Sequence, residues 1–395
     1  MSSPAADRFR FFVTCARGTE GALRRELVGL RIGSPKGDTG GVWFEGPLAM
    51  AMGVCLHSRV AVRVLLQLTT FDAHDADGLY QGARTVRWTD WLTQKTTLAV
   101  HATVRDNQAL THSGFAALKV KDAVVDTLRD KLGTRPDVAP KDPDVAIVLH
   151  VAGTSAGLFL DLAGEALHRR GYRVAMVDAP LKETLAAAVL MLGGVGGASG
   201  EGADLPFVDP MGGSGTLAIE HALAARRIAP GLRRRFGFQR WPMFTADLQT
   251  TWALLHAEAD AWAKAPAASL PPIICADNAR TSIDAARRNA VAAGVADQIT
   301  FEVADVAALT RRWPAGNVCT NPPYGERLVE RELGALYRRM AVAFSRLAGW
   351  GVVVLSGNPL FAKEMGAKPR IAHRLYNGAL EVRLLRYEIP GAAGL

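Results

Sequence analysis

The chain has 395 residues, of which 49% are hydrophobic and 21% are charged, and 46 Lys and Arg outnumber 38 Asp and Glu. This composition excludes a disordered or fibrous protein, and the length suggests two or three domains. The formal charge of +8 is shared by both halves of the chain, so it admits a nucleic acid partner without establishing one.

The cysteines and the N-terminus indicate the cellular compartment. No Cys-x-x-Cys spacing occurs among the four cysteines, Cys15, Cys55, Cys275 and Cys319, which argues against a zinc site or a disulfide framework. The N-terminus lacks the apolar stretch of a signal peptide, and the uncharged run from Thr184 to Gly200 is too short to span a bilayer. We therefore expect a cytoplasmic monomer without metal or membrane contact.

The N-terminal region contains short strand-like runs with helices between them. The strand candidates are FRFFVTCA, RVAVRVLLQL, TTLAVHATV and DVAIVLHVAG, and the last two alternate apolar and polar residues. Such alternation is typical of strands with one face on a core and one in solvent. The pattern predicts small α+β modules up to a boundary near residues 171–173.

From Leu205 onward, strands alternate with helices. The predicted strands are 205–209, 272–277, 299–305, 317–323 and 350–357. This order indicates βαβ units in a parallel, doubly wound sheet. The last segment differs, because Asn377-Gly378 between two alternating runs predicts an antiparallel β-hairpin with a two-residue type I′ turn.

Polar and glycine residues follow the predicted strands. The stretch VDPMGGSGT places a glycine-rich turn between Asp209 and a helix that begins near Thr216. Glycines let a ligand approach the backbone, and helix N-terminal N–H groups face an anion, although such a turn can also be purely structural. Asp277 could accept hydrogen bonds from both ribose hydroxyls of a nucleoside cofactor, or only cap the next helix. Asp305 could accept from an adenine amine, or only face the loop.

The fourth strand ends in Asn321-Pro322-Pro323-Tyr324, where two adjacent prolines hold the backbone rigid and extended. Together with the other strand ends and the hairpin, this pattern resembles a class I S-adenosylmethionine-dependent methyltransferase, whose Rossmann-like sheet closes with an antiparallel strand. Within that fold, N-P-P-Y resembles the signature of enzymes that methylate exocyclic amines or amides. The resemblance implies S-adenosylmethionine as cofactor and Asn321, Pro322, Pro323 and Tyr324 as catalytic residues.

The N-P-P-Y motif suits an aryl amine, whose lone pair is delocalised into the ring. If the Asn321 side-chain oxygen and the Pro322 carbonyl each accept one N–H, the lone pair turns outward toward the methyl group. Tyr324 can stack on the base, a contact worth roughly 1–3 kcal/mol. Catalysis is then mainly positioning, and no general base is required. Taken alone, the motif could also be a rigid exit from a strand.

The flanking sequence narrows the resemblance. LHRRGYR, APLKETLAA, APGLRRRFGFQRW, NPPYGERL and LYNGALEVRLLRYEI resemble bacterial RNA guanine-N2 methyltransferases, most closely the 23S rRNA enzymes in a short form without a second methyltransferase half. The resemblance implies methylation of guanine N2 in RNA. The alternatives are a tRNA guanine-N2 enzyme, a DNA adenine-N6 enzyme and a non-catalytic RNA-binding assembly factor.

The same resemblance implies a ferredoxin-like module at residues 8–70, a THUMP RNA-binding domain at 71–173 and a methyltransferase domain at 174–395. Glu183 and Thr184 would lie over the methionine end of the cofactor. The other implied cofactor-binding residues are Asp209, Pro210, Gly212, Gly213, Ser214, Gly215, Thr216, Asp277, Asn278, Asp305, Val306 and Asn321. One departure is Gly212, where the family commonly has cysteine; it removes no catalytic group.

Basic residues suggest where RNA binds. The predicted RNA-binding residues are Lys119, Lys121, Arg226, Arg227, Arg233, Arg234, Arg235 and Arg240. In the segment 226–241, arginines interleave with Phe236, Phe238 and Trp241, and the two kinds of side chain could grip phosphates and stack on unpaired bases. The alternative is a solvated basic segment with its aromatics packed inward.

Overall fold

The computed structural model describes residues 8–176, 181–196, 204–265, 270–324 and 330–391. Three stretches named in the sequence analysis therefore lie partly outside the described residues: positions 179–180 of APLKETLAA, 197–200 of the uncharged run and 325–328 of NPPYGERL. The chain divides into two compact units. The first contains the described parts of 1–14, 27–167 and 234–257, and the second those of 15–26, 168–233 and 258–395.

The first unit is built on a seven-stranded sheet in the order β2-β3-β1-β4-β7-β6-β5. Its strands are β1 (Phe9–Thr14), β2 (Lys36–Asp38), β3 (Gly41–Gly46), β4 (Arg63–Asp72), β5 (Leu98–Arg105), β6 (Val145–Ala152) and β7 (Ser155–Asp161). The helices between these strands in sequence are α1 (Glu20–Gly29), α2 (Leu48–His57), α3 (Ala76–Arg84) and α4 (Ser113–Leu132). Most of α1 belongs to the second unit. A 3₁₀ turn occupies Trp88–Asp90.

This sheet joins the two predicted N-terminal modules. Strand β4 pairs with β7, with Leu66 opposite Leu160, and the register shifts between Gln67 and Thr69. The strand crosses the boundary predicted between residues 70 and 71, so the structure shares one sheet across it. The boundary itself stays a prediction.

The second unit contains the predicted doubly wound sheet, in the order β10-β9-β8-β11-β12-β14-β13. Its strands are β8 (Phe207–Asp209), β9 (Ile273–Asp277), β10 (Ile299–Val303), β11 (Gly316–Thr320), β12 (Trp350–Ser356), β13 (Ile371–Asn377) and β14 (Leu380–Glu388). Strands β8 to β12 are parallel, and β14 is antiparallel to both neighbours. The predicted fold class is confirmed.

Helices and turns connect these strands. They are α5 (Glu183–Leu192), α6 (Thr216–Ala225), α7 (Ala246–Lys264), α8 (Arg280–Ala293), α9 (Glu330–Ser345) and α10 (Leu360–Met365), with 3₁₀ turns at Gly237–Arg240, Ala296–Gln298 and Val306–Ala308. Of these, Gly237–Arg240 and the part of α7 up to residue 257 belong to the first unit. All residues of β11 and β12 are buried, as expected for central parallel strands covered on both faces. On one face, Val208, Val318 and Val352 pack with Tyr337 and Phe344 of α9. This core fixes the strand ends that carry the site.

The hairpin was predicted, but its turn was placed one residue early. Asn377 pairs with Leu380 in the ladder, so the two turn residues are Gly378 and Ala379. Gly378 has φ +67, whereas Asn377 and Ala379 lack a positive φ. A type II′ turn needs the left-handed conformation at its first central residue, where glycine is favoured. The prediction of a type I′ turn at Asn377-Gly378 was therefore wrong.

Residues 15–26 belong to the second unit, although they follow β1 of the first. The Tyr376 backbone N–H donates to the Arg17 carbonyl at 3.1 Å, and the Arg17 guanidinium lies 4.5 Å from the Tyr376 ring centroid. Gly18 packs so closely on the Arg374 backbone that a β-carbon there would collide with the Arg374 carbonyl oxygen. The Arg17-Gly18 segment thus covers the side of β13 that faces away from β14.

Candidate active site

The strand order reverses between β8 and β11, and the candidate residues follow the strands on both sides of this point. Asp209 and Asp277 end β8 and β9, Asp305 lies two residues beyond β10, and Asn321 directly follows β11. In open α/β sheets, ligands bind outside the carboxyl ends of the strands at such a switch point. The structure therefore brings these four predicted side chains to one edge of the sheet.

Asp277 ties the glycine-rich turn to the neighbouring strand. Its Oδ2 accepts a hydrogen bond from the Gly213 N–H, and its Oδ1 accepts one from the Ala279 N–H, both at 2.9 Å. The Gly212 N–H donates to the Ala276 carbonyl at 2.8 Å. Asp277 thus supports the turn before α8 and also holds the glycine turn. It does not cap α8 as the alternative interpretation held, because the N-cap of that helix is Ala279, without a side-chain hydrogen bond. Two carboxylate oxygens have lone pairs beyond these two bonds, so ribose binding by Asp277 stays a prediction.

Asp209 is buried beneath this turn. It is 1% exposed, and its Oδ1 accepts a hydrogen bond from the Met211 N–H at 3.2 Å. Burial raises the pKa of Asp209 to about 7, and the negative charge of Asp277 acts in the same direction. The carboxyl group therefore binds a proton more readily in the folded protein than in the unfolded chain.

This shift predicts a pH dependence of stability. Since the pKa of Asp209 is about 7 in the folded state and about 3.9 in the unfolded state, the folded protein holds the extra proton between these values. Its stabilising contribution is complete below about pH 4 and is lost as the pH rises toward 7, at up to about 1.4 kcal/mol per pH unit. Asp209→Asn should remove this slope from the free energy of unfolding measured by urea titration. The same slope in Asp209→Asn and in the parent protein would contradict the assignment, and Asp297→Asn, at an exposed site, serves as control.

Packing against a neighbouring strand explains why position 212 is a glycine in this chain. A β-carbon at position 212 would collide with the sulfur of buried Cys275. The sulfur of Cys275 therefore occupies space that a side chain at position 212 would need. Gly213 and Gly215 have φ +53 and +84, a region that favours glycine, so their conformations also require this residue.

We expect Gly212→Cys to destabilise the protein by about 1–3 kcal/mol, because the added side chain overpacks the turn. Cys275→Ala removes the obstructing sulfur, so the double variant should regain most of that loss. Chemical denaturation of both single variants and the double variant measures the coupling between the two sites. Additive effects would show that Cys275 does not restrict position 212.

Asp305 lies beside a cleft at the ends of β8, β9 and β10. Its Oδ1 accepts from the Ala307 N–H at 2.8 Å and caps the 3₁₀ turn there. The cleft is lined by Pro210, Ala304, Asp305, Ala308 and other residues that are mostly apolar. Besides these apolar side chains, the cleft is lined by Asp305 and by the ion pair of Glu302 with Arg312. Asn278 is exposed next to Asp277, whereas Val306 is 4% exposed in the core, which leaves its backbone to contact a ligand.

The Asn321 side chain carries a buried polar atom, Oδ1, without a hydrogen-bond partner among the described residues. A buried acceptor without a donor is costly, and such groups mark places where a ligand supplies the missing donor. Pro322 beside it is buried, and the Tyr337 hydroxyl donates to the Pro323 carbonyl at 2.8 Å. The backbone that presents the Asn321 oxygen is therefore anchored to α9.

The structure also reveals Arg173, which sequence reasoning treated only as a boundary. Its guanidinium donates to Glu183 Oε1 at 2.9 Å, Ser214 Oγ at 2.9 Å, Thr216 Oγ1 at 3.1 Å and the Leu181 carbonyl at 3.0 Å. Glu183 and Thr184 are buried at the start of α5. Arg173 thus connects the predicted methionine end of the cofactor site to the glycine turn. The contacts join three distant segments, and no local pattern signals them.

Three of the predicted RNA-binding residues lie in the second unit, and two of them donate hydrogen bonds to backbone carbonyls. Arg226 donates to the carbonyls of Ala263 and Ala265, and Arg233 donates to the Ala292 carbonyl at 2.6 Å. The Arg227 guanidinium lies 5.4 Å from the ring centroid of Trp262, which is 49% exposed. RNA binding by these arginines stays a prediction.

In the first unit, the aromatics of the same segment are buried. Phe236, Phe238 and Trp241 are each at most 3% exposed, so they do not stack on RNA bases but pack inward, as the alternative interpretation held. Arg234 donates to the Glu165 and Ala166 carbonyls, Arg240 pairs with Asp142 at 2.8 Å, and Arg235 is exposed.

Helix α4 carries the other two predicted RNA-binding residues. Lys119 Nζ lies 5.7 Å from the ring centroid of Phe115, and Lys121 pairs with Asp122 at 2.6 Å. Both lysines are half-buried. RNA binding by Arg234, Arg235, Arg240 and these lysines stays a prediction.

Among the described residues, no group of three His, Cys, Asp or Glu side chains is arranged to hold a metal ion. None of the helices in the described part of the chain combines the length and apolar character needed to cross a membrane.

Three family profiles match the chain. Residues 170–385 match the RMKL-like methyltransferase domain, residues 73–161 match the THUMP domain, and residues 10–65 match the RlmL ferredoxin-like domain. A curated relative from Syntrophotalea carbinolica, named ribosomal RNA large subunit methyltransferase K/L, is 42% identical over 387 residues. The alignment covers 96% of this chain and 53% of the relative, so the chain spans about half the length of the curated protein that it matches.

Solved structures are similar over almost the whole chain. SMU.472, described as a putative methyltransferase complexed with SAH, superimposes with a TM-score of 0.87 at 27% identity, covering 100% of both chains. A predicted N6-adenine-specific DNA methylase from Listeria monocytogenes superimposes with a TM-score of 0.84 at 32% identity, covering 97% of both chains.

Proposed function

Because the chain belongs to the RMKL-like methyltransferase family, we propose that it transfers a methyl group from S-adenosylmethionine to the exocyclic N2 amine of a guanine in RNA. The observation that carries the proposal is the buried Asn321 oxygen, which lacks a donor among the described residues. An amine N–H is the donor that would satisfy it.

The residues present fit S-adenosylmethionine, the cofactor of this family. The glycine turn at 212–215 lacks side chains that would obstruct a ligand, apart from Ser214, which is turned toward Arg173. Asp277 would accept from the ribose hydroxyls, and Asp305 in the lining of the cleft would accept from the adenine amine. Glu183 and Thr184 would face the methionine end. When bound, the cofactor supplies a methyl group on a positively charged sulfur.

The protein's own contribution is to position the amine. The Asn321 oxygen and the Pro322 carbonyl accept its two N–H groups, which turns the nitrogen lone pair toward the methyl group. Tyr324 stacks on the base and limits its rotation. The anchor from Tyr337 to Pro323 keeps the acceptors in place before the substrate arrives, so little reorganisation is needed.

One observation favours ribosomal RNA as the substrate, and a second favours a structured RNA in general. The curated relative is named for large-subunit ribosomal RNA, and the THUMP profile covers residues 73–161. A domain that recognises RNA by shape and phosphates suits a structured target. A tRNA guanine-N2 enzyme would use the same site, and a non-catalytic assembly factor would have no use for the unsatisfied Asn321 oxygen.

Nucleoside mass spectrometry on separated 23S rRNA and tRNA, from a deletion strain and its parent, tests the proposal. We expect N2-methylguanosine to decrease in 23S rRNA and to return when the gene is restored. Loss of N2-methylguanosine from tRNA alone would mean that the substrate is tRNA and that the proposed chemistry stands. No change in either pool, together with no transfer by the purified chain, would overturn the proposal.

A further inference from the structure

The Tyr324 ring, which the proposed function places against the target base, is held from two directions. The Asn377 amide Nδ2 donates to the Tyr324 hydroxyl at 2.9 Å. Gly357 packs on the ring so tightly that a β-carbon there would lie 2.9 Å from two ring carbons. Tyrosine has two side-chain torsions, and these two contacts restrict both.

The turn of the hairpin explains how Asn377 reaches this position. Because Gly378 takes the first turn position, Asn377 remains paired with Leu380 as the last residue of β13. Because strand pairing fixes the backbone at Asn377, it also restricts the position of the Asn377 side-chain amide. Had Asn377 been the first turn residue, as its sequence suggests, its backbone would not have paired with β14 and its side chain would have taken another direction. The one-residue offset thus places a hydrogen-bond donor from the C-terminal hairpin on a tyrosine 53 residues away in sequence.

We infer that Asn377 is a positioning residue for methyl transfer, because its amide fixes the Tyr324 ring that stacks on the target base. The inference rests on the proposed function and extends it to a residue outside the N-P-P-Y motif. Asn377 acts through Tyr324 and makes no contact with the reacting atoms. Its loss leaves the cofactor site intact and allows the ring to rotate away from the base.

The test compares Asn377→Leu, which keeps the approximate shape without a donor, with Tyr324→Phe, which keeps the ring without the acceptor. We expect each to lower kcat by about tenfold, the net worth of one good hydrogen bond. The double variant should be no slower than Tyr324→Phe alone, because both changes remove the same contact. Asn377→Gln retains a donor and should recover part of the loss.

Glu381→Gln is the matched control. Glu381 lies on the same hairpin, where it accepts from the Tyr376 hydroxyl at 3.2 Å and pairs with Arg374 at 3.3 Å. Its variant should keep kcat within about twofold, as expected for exposed pairs. Calorimetric stoichiometry for S-adenosylmethionine should stay at the parent value in every variant, which shows that the folded fraction is unchanged.

Two outcomes would overturn the inference. One is a further tenfold loss when Asn377→Leu is added to Tyr324→Phe, and the other is an equal loss in Glu381→Gln. The parent protein, Asn377→Leu, Tyr324→Phe and the double variant also give the coupling energy between positions 324 and 377 in thermal unfolding. This measurement needs no substrate. Coupling in unfolding without any transfer to RNA would mean that the proposed function fails while the contact exists. Absence of coupling in both measurements would reject the contact itself.

Discussion

Asn321→Ala is expected to lower kcat for methyl transfer by roughly 10²–10³-fold, the cost of removing one positioned polar group that acts on the reacting centre. The buried Asn321 oxygen lacks a donor in the described structure, so its hydrogen bond is available to the substrate amine. Without that acceptor, the nitrogen lone pair stays delocalised into the ring and is poorly directed toward the methyl group. The affinity for S-adenosylmethionine should change little, because Asp277 and the glycine turn are untouched.

Single-turnover methylation of RNA and calorimetry with S-adenosylmethionine measure the two quantities separately. Asn321→Asp keeps an acceptor oxygen at the same position and should retain more activity than Asn321→Ala. If Asn321→Ala weakens cofactor binding as much as it slows transfer, the asparagine holds the cofactor and its assignment to the amine is wrong. Full activity in Asn321→Ala would remove the observation on which the proposed function depends.

Arg173→Met is expected to give the largest loss of stability, roughly 3–5 kcal/mol, because it leaves a buried carboxylate without its partner. The side chains of Arg173 and Glu183 are 15% and 5% exposed, and their ion pair measures 2.9 Å. The substitution also removes donors to Ser214 and Thr216 in the glycine turn. The affinity for S-adenosylmethionine should therefore fall along with the free energy of unfolding.

Two further variants test whether the loss of stability comes from the buried charge. Arg173→Met combined with Glu183→Gln removes the uncompensated charge and should recover part of the stability. Arg370→Ala breaks an exposed pair with Glu388, whose side chains are 62% and 40% exposed, and should cost at most about 1 kcal/mol. An effect of Arg173→Met as small as that of Arg370→Ala would show that the buried network contributes little.

The sequence predicted those features that arise from local patterns. The glycine turn, the acids at strand ends and the N-P-P-Y motif were each placed correctly along the chain, because strand period and turn chemistry are local signals. The Arg173 network was missed because it joins residues 173, 183 and 214–216, which only tertiary structure brings together. The inward packing of Phe238 and the use of Gly378-Ala379 as the turn also depend on contacts that no local pattern encodes.

The coverage of β13 by Arg17 and Gly18 has a consequence for dissecting the protein. The second unit is not a continuous stretch of sequence, because it includes residues 15–26, which precede most of the first unit. A fragment that starts at residue 168 would leave the Tyr376 N–H without the Arg17 carbonyl that accepts from it. An uncovered strand edge can pair with another molecule, so such a fragment would be prone to self-association. Residues 15–26 must therefore be retained together with the rest of the second unit for that unit to stay whole.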